Sequence, residues 1–310
     1  MRENRTYGSV RGGRQAFHLH NVYERSVEHA YSTRPAMQNI KLNDGTVIPR
    51  VGLGVFRARD GEQTEQSVLW ALEAGYRHID TAKAYRNEAS VGSAIRKSGI
   101  PREEIFITTK VWNEDVRQGT TRRACLESLR KLGTDYIDLY LIHWPAEGYE
   151  LAWKDMERLR EEGHVRSIGV SNFHMHHIDT MMIKGKVLPS VDQIEAHPYF
   201  TNQKLIDDLK ERGIAVEVWS PLAGGNHAAE LLAEPVLLEI GAKYGKTAAQ
   251  VVLRWHLQRD TIVIPKSVHQ DRIIENFDLF DFELSDEEMQ QISGLNRNTR
   301  VGADPETFDF

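Results

Sequence analysis

An α/β fold, a (β/α)8 TIM barrel with an N-terminal β-hairpin, is predicted from three features of the 310-residue sequence. From residue 40 onward, short runs rich in β-branched residues alternate with longer amphipathic stretches. The connections between them are short, and neighbouring parallel strands need a crossover. Eight such units over roughly 260 residues match a closed barrel better than an open sheet.

The hairpin comes first: Ile40-Lys-Leu and Val47-Ile-Pro flank Asn43-Asp44-Gly45, a strong turn signal. Strands are then expected at 51–55, 76–79, 105–109, 137–142, 167–170, 190–194, 215–219 and 261–264. Helical patterns are expected at 65–74, 90–97, 120–132, 149–162, 202–211 and 248–257. Gly52 and Gly54 suggest a dinucleotide-binding glycine motif, but Arg57 stands where the third glycine belongs. A glycine pair entering a tight barrel strand explains them better.

With 40% apolar and 27% charged residues, the chain has the make-up of an ordinary soluble globular protein. A net charge of −6 argues against a general affinity for nucleic acid or anionic membrane, while leaving room for a local basic pocket. The single cysteine, Cys125, lies at helical spacing among apolar residues and reads as a small core side chain. No apolar run reaches the ~18 residues of a membrane span, so a cytoplasmic protein is expected. Residues 1–36 differ in character, carrying Arg2, Arg5, Arg11, Arg14, Arg25 and Arg34 with little apolar periodicity. They read as a poorly ordered extension or the product of an upstream start, and the barrel domain is expected to span 37–310.

Working residues of such barrels sit at the carboxyl ends of the strands. The second expected strand runs into Asp80, the third into Lys110 and the fourth into His143, and Tyr85 follows closely on Asp80. Three ionisable residues at successive strand ends do not fill a barrel core. Taken singly each has a structural reading: an Asp80–Lys110 ion pair, a packed Tyr85, a buried His143.

In their local contexts, His78-Ile-Asp-Thr-Ala-Lys-Ala-Tyr85, Thr108-Thr-Lys-Val-Trp112 and Leu141-Ile-His-Trp-Pro145, these four resemble the catalytic tetrad of the aldo-keto reductases. The resemblance continues through Gly169-Val-Ser-Asn-Phe173, Asp192-Gln-Ile-Glu-Ala-His-Pro198, Trp219-Ser-Pro-Leu222 and Ile264-Pro-Lys-Ser-Val268, and covers nearly everything after residue 40. The bacterial 2,5-diketo-D-gluconate-reductase-type members are the most similar. The resemblance implies reduction of carbonyls by NADPH, with Tyr85 as general acid and His143 orienting the substrate oxygen. Physically, a phenol of pKa ~10 is a poor proton exchanger near neutrality. An adjacent Lys110 ammonium, paired with Asp80, would favour the phenolate.

The resemblance further implies that Ser171, Asn172 and Gln193 bind the nicotinamide carboxamide and that Trp219, where the family more often has tyrosine, stacks on its ring. Ser220, Leu222 and Val268 belong to the same cofactor-binding stretches. Lys266, Ser267 and Arg272 would cage a 2′-phosphate, which favours NADPH over NADH. Glu275 and Asn276 would meet the adenine. Phe56, Trp112 and Trp144 are expected to wall the substrate pocket, with the tail after Asn296 beside them. The expected partner is a small carbonyl compound and the expected state a monomer. Two rival readings use the same barrel: a Schiff-base aldolase through Lys110, and a nucleotide-binding barrel of low turnover. A metal-dependent hydrolase on Asp80, His143 and His197 is the weakest reading, and no metal ligand is assigned.

Overall fold

The structure, a computed structural model, describes residues 39–310. The expected extension over residues 1–36 lies outside the described residues. The hairpin forms as expected, β1 (Asn39–Lys41) pairing antiparallel with β2 (Val47–Pro49). Asn43 Nδ2 donates to the Pro189 carbonyl, and Asp44 Oδ2 accepts from Ser190 Oγ at 2.9 Å. Leu42 and Ile48 pack with Phe106, Leu139, Leu141, Val191 and Ile262, so the hairpin closes the end of the barrel where the strands begin.

Eight parallel strands follow in chain order around the sheet: β3 (Leu53–Gly54), β4 (His78–Asp80), β5 (Phe106–Val111), β6 (Ile137–Ile142), β7 (Val165–Ser171), β8 (Val191–Glu195), β9 (Ala215–Trp219) and β10 (Ile262–Val263). The ring is closed by parallel bridges from Val51 to Val263 and from Gly54 to Lys266. This closure explains the glycine pair. A Cβ on Gly52 would lie 2.7 Å from the His78 ring, and one on Gly54 would lie 2.7 Å from the Ile264 carbonyl oxygen.

Helices wrap the barrel on the outside: α1 (Glu62–Glu73), α2 (Glu88–Ser98), α3 (Asn113–Arg117), α4 (Thr121–Leu132), α5 (Tyr149–Glu161), α6 (Met175–Met182), α7 (Gln203–Glu211), α8 (Asn226–Leu232), α9 (Pro235–Tyr244), α10 (Ala248–Gln258), α11 (Gln270–Glu275) and α12 (Asp286–Ser293). Their apolar faces meet the outer side of the strands, as Ala124, Leu129 and Leu132 of α4 do in the main core. Cys125 is buried there as expected, and burial pushes its thiol up to about 12. Thr247 and Ser285 start α10 and α12 through capping boxes with Gln250 and Glu288. Among the described residues no helix is long and apolar enough to cross a membrane.

Candidate active site

The four tetrad residues are brought together at the carboxyl ends of β4, β5 and β6. Strand β5 extends one residue past Lys110, so this lysine sits within the strand rather than after it, fully buried. Its Nζ donates to both Asp80 carboxylate oxygens, at 2.8 and 2.7 Å, and to the Thr81 carbonyl at 2.8 Å. Burial alone would lower the Lys110 pKa, but the Asp80 charge more than offsets it and the net shift is upward. The ammonium lies 5.1 Å from the centre of the Tyr85 ring.

Tyr85 sits in a short 3-10 turn after β4, partly exposed, with its ring 5.7 Å from that of His143. Lys110 pulls its pKa down, as the sequence suggests, but burial outweighs that pull and lifts the phenol to about 12. The expected activation is therefore present in direction but not in net effect. His143 is 8% exposed; burial, then the Lys110 charge, hold it well below the usual imidazole range. Its Nδ1 is buried without a partner.

Beneath the tetrad lies a polar layer that joins Gln193 and Asp80 to Glu217, which sequence reasoning did not single out. Gln193 Nε2 donates to Asp80 Oδ2 at 2.8 Å and also to Glu217 Oε2. Glu217, fully buried on β9, is raised by burial and by the Asp80 charge. His78 Nε2 lies 3.4 Å from Glu217 Oε1 and 3.0 Å from Thr108 Oγ1. A charged residue in the otherwise apolar run Ala215-Val-Glu-Val was the signal available.

The residues expected to hold a nicotinamide also converge. Ser171 Oγ donates to the Gln193 carbonyl, and Asn172, at a φ of 64°, donates to the His143 carbonyl at 3.0 Å. Trp219 Nε1 donates to Asn172 Oδ1 at 2.8 Å, which fixes the indole beside the barrel mouth. Because the Asn172 and Gln193 amide nitrogens already donate within the protein, Gln193 Oε1 and the second lone pair of Asn172 Oδ1, beside the one that accepts from Trp219, are left to meet a ligand N–H. Ser220 has a φ of 50°, and Leu222 is partly buried against the core.

Farther along the rim, Lys266 is exposed and Ser267 buried in the loop after β10, and Arg272 projects from α11. Partial burial, and then the nearby Arg57 charge, lower the Lys266 ammonium. Two cations held together in this way favour an anion between them. Arg57 was not among the expected residues. Val268 packs on the core, Asn276 is buried, and Glu275 accepts a hydrogen bond from Thr247 Oγ1.

All three expected pocket aromatics stand at the mouth. Phe56 is 52% exposed with its ring 5.0 Å from Tyr85, and Trp112 packs edge-on to His143 at 5.1 Å. The tail completes the wall. Phe310 stacks on Trp112 at 5.9 Å and 2° and meets Trp144 edge-on at 5.2 Å, while Phe308 lies 5.1 Å from Trp144. Asn113 and Arg117 of α3 both donate to the Phe310 carbonyl group. Glu195, buried at the end of β8, accepts from the Val301 and Gly302 amides at 2.6 and 3.2 Å. The backbone at Gly302 runs so close to Trp219 that an added Cβ would collide with the indole.

Residues 50–297 match the aldo/keto reductase family. This chain belongs to that family. It is an enzyme, and several of its relatives carry reductase names. One, an aldo-keto reductase of Mycolicibacterium smegmatis, is 50% identical over 274 residues, 87% of this chain and 98% of that protein. A glyoxal reductase of Bacillus subtilis is 47% identical over 272 residues, 87% of this chain and 97% of that protein. Among solved structures, the Bombyx mori aldo-keto reductase in complex with NADP superimposes with a TM-score of 0.80. It is 39% identical, covering 86% of this chain and 95% of that one.

Proposed function

We propose that this protein is an NADPH-dependent carbonyl reductase in which Tyr85 gives the proton to the substrate oxygen. The observation that carries this reading is the buried Lys110, bonded to both Asp80 oxygens with Tyr85 and His143 beside it at the barrel mouth. Bound NADPH supplies a hydride to the carbonyl carbon. The protein's own part is to hold the carbonyl oxygen and to deliver a proton to it as charge develops.

His143, kept neutral, donates from Nε2 to that oxygen, and its orphaned Nδ1 carries no proton in this tautomer. Tyr85 then transfers its proton, and the phenolate left behind is stabilised by the Lys110 ammonium. Asp80 positions that ammonium. Such a lysine, triply hydrogen-bonded and kept charged, is a poor Schiff-base nucleophile, which counts against the aldolase reading. Ser171, Asn172, Gln193 and Trp219 are assigned to the nicotinamide end, where their oxygens and indole plane fit a carboxamide and a flat ring. Lys266, Ser267 and Arg272, with Arg57, are assigned to the phosphate end. The aromatic wall of Phe56, Trp112 and Trp144 suits a small carbonyl compound, and the glyoxal reductase likeness makes short dicarbonyls the first to try. A cytoplasmic monomer is assigned, and the single cysteine fits a reducing compartment.

Quenching of tryptophan fluorescence by NADPH and, in parallel, NADH tests the reading. Saturable binding that prefers NADPH, followed by NADPH oxidation with short aldehydes, is expected. Binding without turnover on any carbonyl would favour the low-turnover barrel, and no binding of either nucleotide would remove the proposal.

A further inference from the structure

We infer that His174, His176, His177 and Glu306 form a binding site for a divalent metal ion of zinc's class, which ties the C-terminal tail to the start of α6. No metal ligand was expected from the sequence, yet the run His174-Met-His-His177 contains a His-x-His pair. In the structure the three imidazoles and the Glu306 carboxylate each offer a ligand atom, all within 4.8 Å of one another. Glu306 Oε1 lies 2.5 Å from His174 Nδ1 and 3.4 Å from His176 Nε2. The His176 and His177 rings are 3.9 Å apart centre to centre.

Nitrogen and carboxylate donors in a four-membered set suit tetrahedral zinc, whereas magnesium and calcium prefer oxygen alone. Two adjustments are required. His177 Nδ1 now accepts the His174 amide at 3.1 Å, so His177 must release that hydrogen bond to join as fourth ligand. Arg300 approaches His174 Nε2 at 3.4 Å, and its charge opposes a cation. Arg300 has other anchors to move toward, the Glu195 and Asp304 carboxylates and the face of Phe200.

The position of the site gives it a consequence. The imidazoles belong to the loop and helix after β7, and Glu306 lies 132 residues later than His174, in the tail. Phe308 and Phe310 follow and press on Trp144 and Trp112. The present link is a partly exposed hydrogen bond, of small worth in water. A bound metal would replace it with coordinate bonds and hold the tail against the mouth.

The test uses the full chain without an affinity tag, titrated with zinc chloride against a chromophoric chelator. The wild type should bind one zinc that H176A and E306Q bind ~10-fold or more weakly, with no response to magnesium. Zinc should also slow the release of Phe310 by a serine carboxypeptidase in the wild type and not in E306Q. All of these side chains are partly or fully exposed, so the variants should fold. Equal zinc binding in all three proteins would place the metal elsewhere, as on His18 and His20, and would overturn the site. Absence of zinc binding would do the same, and binding that leaves Phe310 release unchanged would overturn the tie to the tail.

Discussion

Lys110 keeps its charge in a place shielded from water only because Asp80 meets it with both oxygens and Thr81 adds a carbonyl. In the proposed reaction that charge would matter most as Tyr85 gives up its proton, since the phenol resting at about 12 would have to become an anion. Tyr85→Phe should therefore lower kcat for aldehyde reduction by ~10²–10⁴-fold while leaving NADPH quenching intact; ordinary turnover would remove Tyr85 from its role. Asp192 poses the opposite problem. It is fully buried on β8, its Oδ2 has no partner, and burial raises its pKa well above the usual carboxylate range. A carboxyl raised on folding costs nothing below its unfolded pKa of ~3.9 and costs progressively more as pH rises toward its folded value. Asp192→Asn should thus raise Tm at pH 7 by about 2 °C or more, with the gap closing near pH 4. A gap independent of pH would mean that Asp192 is charged in the folded protein. The tetrad was legible because Asp80, Lys110 and His143 interrupt apolar runs at regular places. Glu217 interrupts β9 in the same way but was hidden by lying on the inner side of a strand with no site motif of its own.

At the scale of elements, strand positions were readable to within a residue or two, because buried parallel strands leave short β-branched runs. Ile137–Ile142 and Ala215–Trp219 appear as expected, while Lys110 moved inside β5 because its pairing with β6 continues to Val111. Helices were harder. Short α3, α6 and α8, and α9 and α12, were not foreseen, since their formation depends on packing against the barrel more than on a long apolar period. In the proposed function the loop after β10 and helix α11 would act together at the phosphate end. Arg272→Ala should weaken NADPH ~10–100-fold, the worth of one charge-assisted contact, and change NADH little. Equal losses for the two nucleotides, read by the same quenching titration, would take the 2′-phosphate away from this helix.

Across the whole molecule, the barrel is sealed at one end by its hairpin and lined at the other by aromatic side chains from strand ends and tail. The family match begins at residue 50, and relatives cover 87% of the chain. Deletion through Ala36 should leave NADPH oxidation within about twofold of the intact chain, the scale of a surface change; a truncated protein that fails to fold would make that extension structural. The tail's contribution could not be read ahead, because Phe308 and Phe310 carry no periodicity and reach Trp144 and Trp112 only through the folded path. The path ends with Phe310 held by Asn113 and Arg117. Any change that displaces Phe310 would therefore reshape the aromatic rim it shares with Trp112 and Trp144.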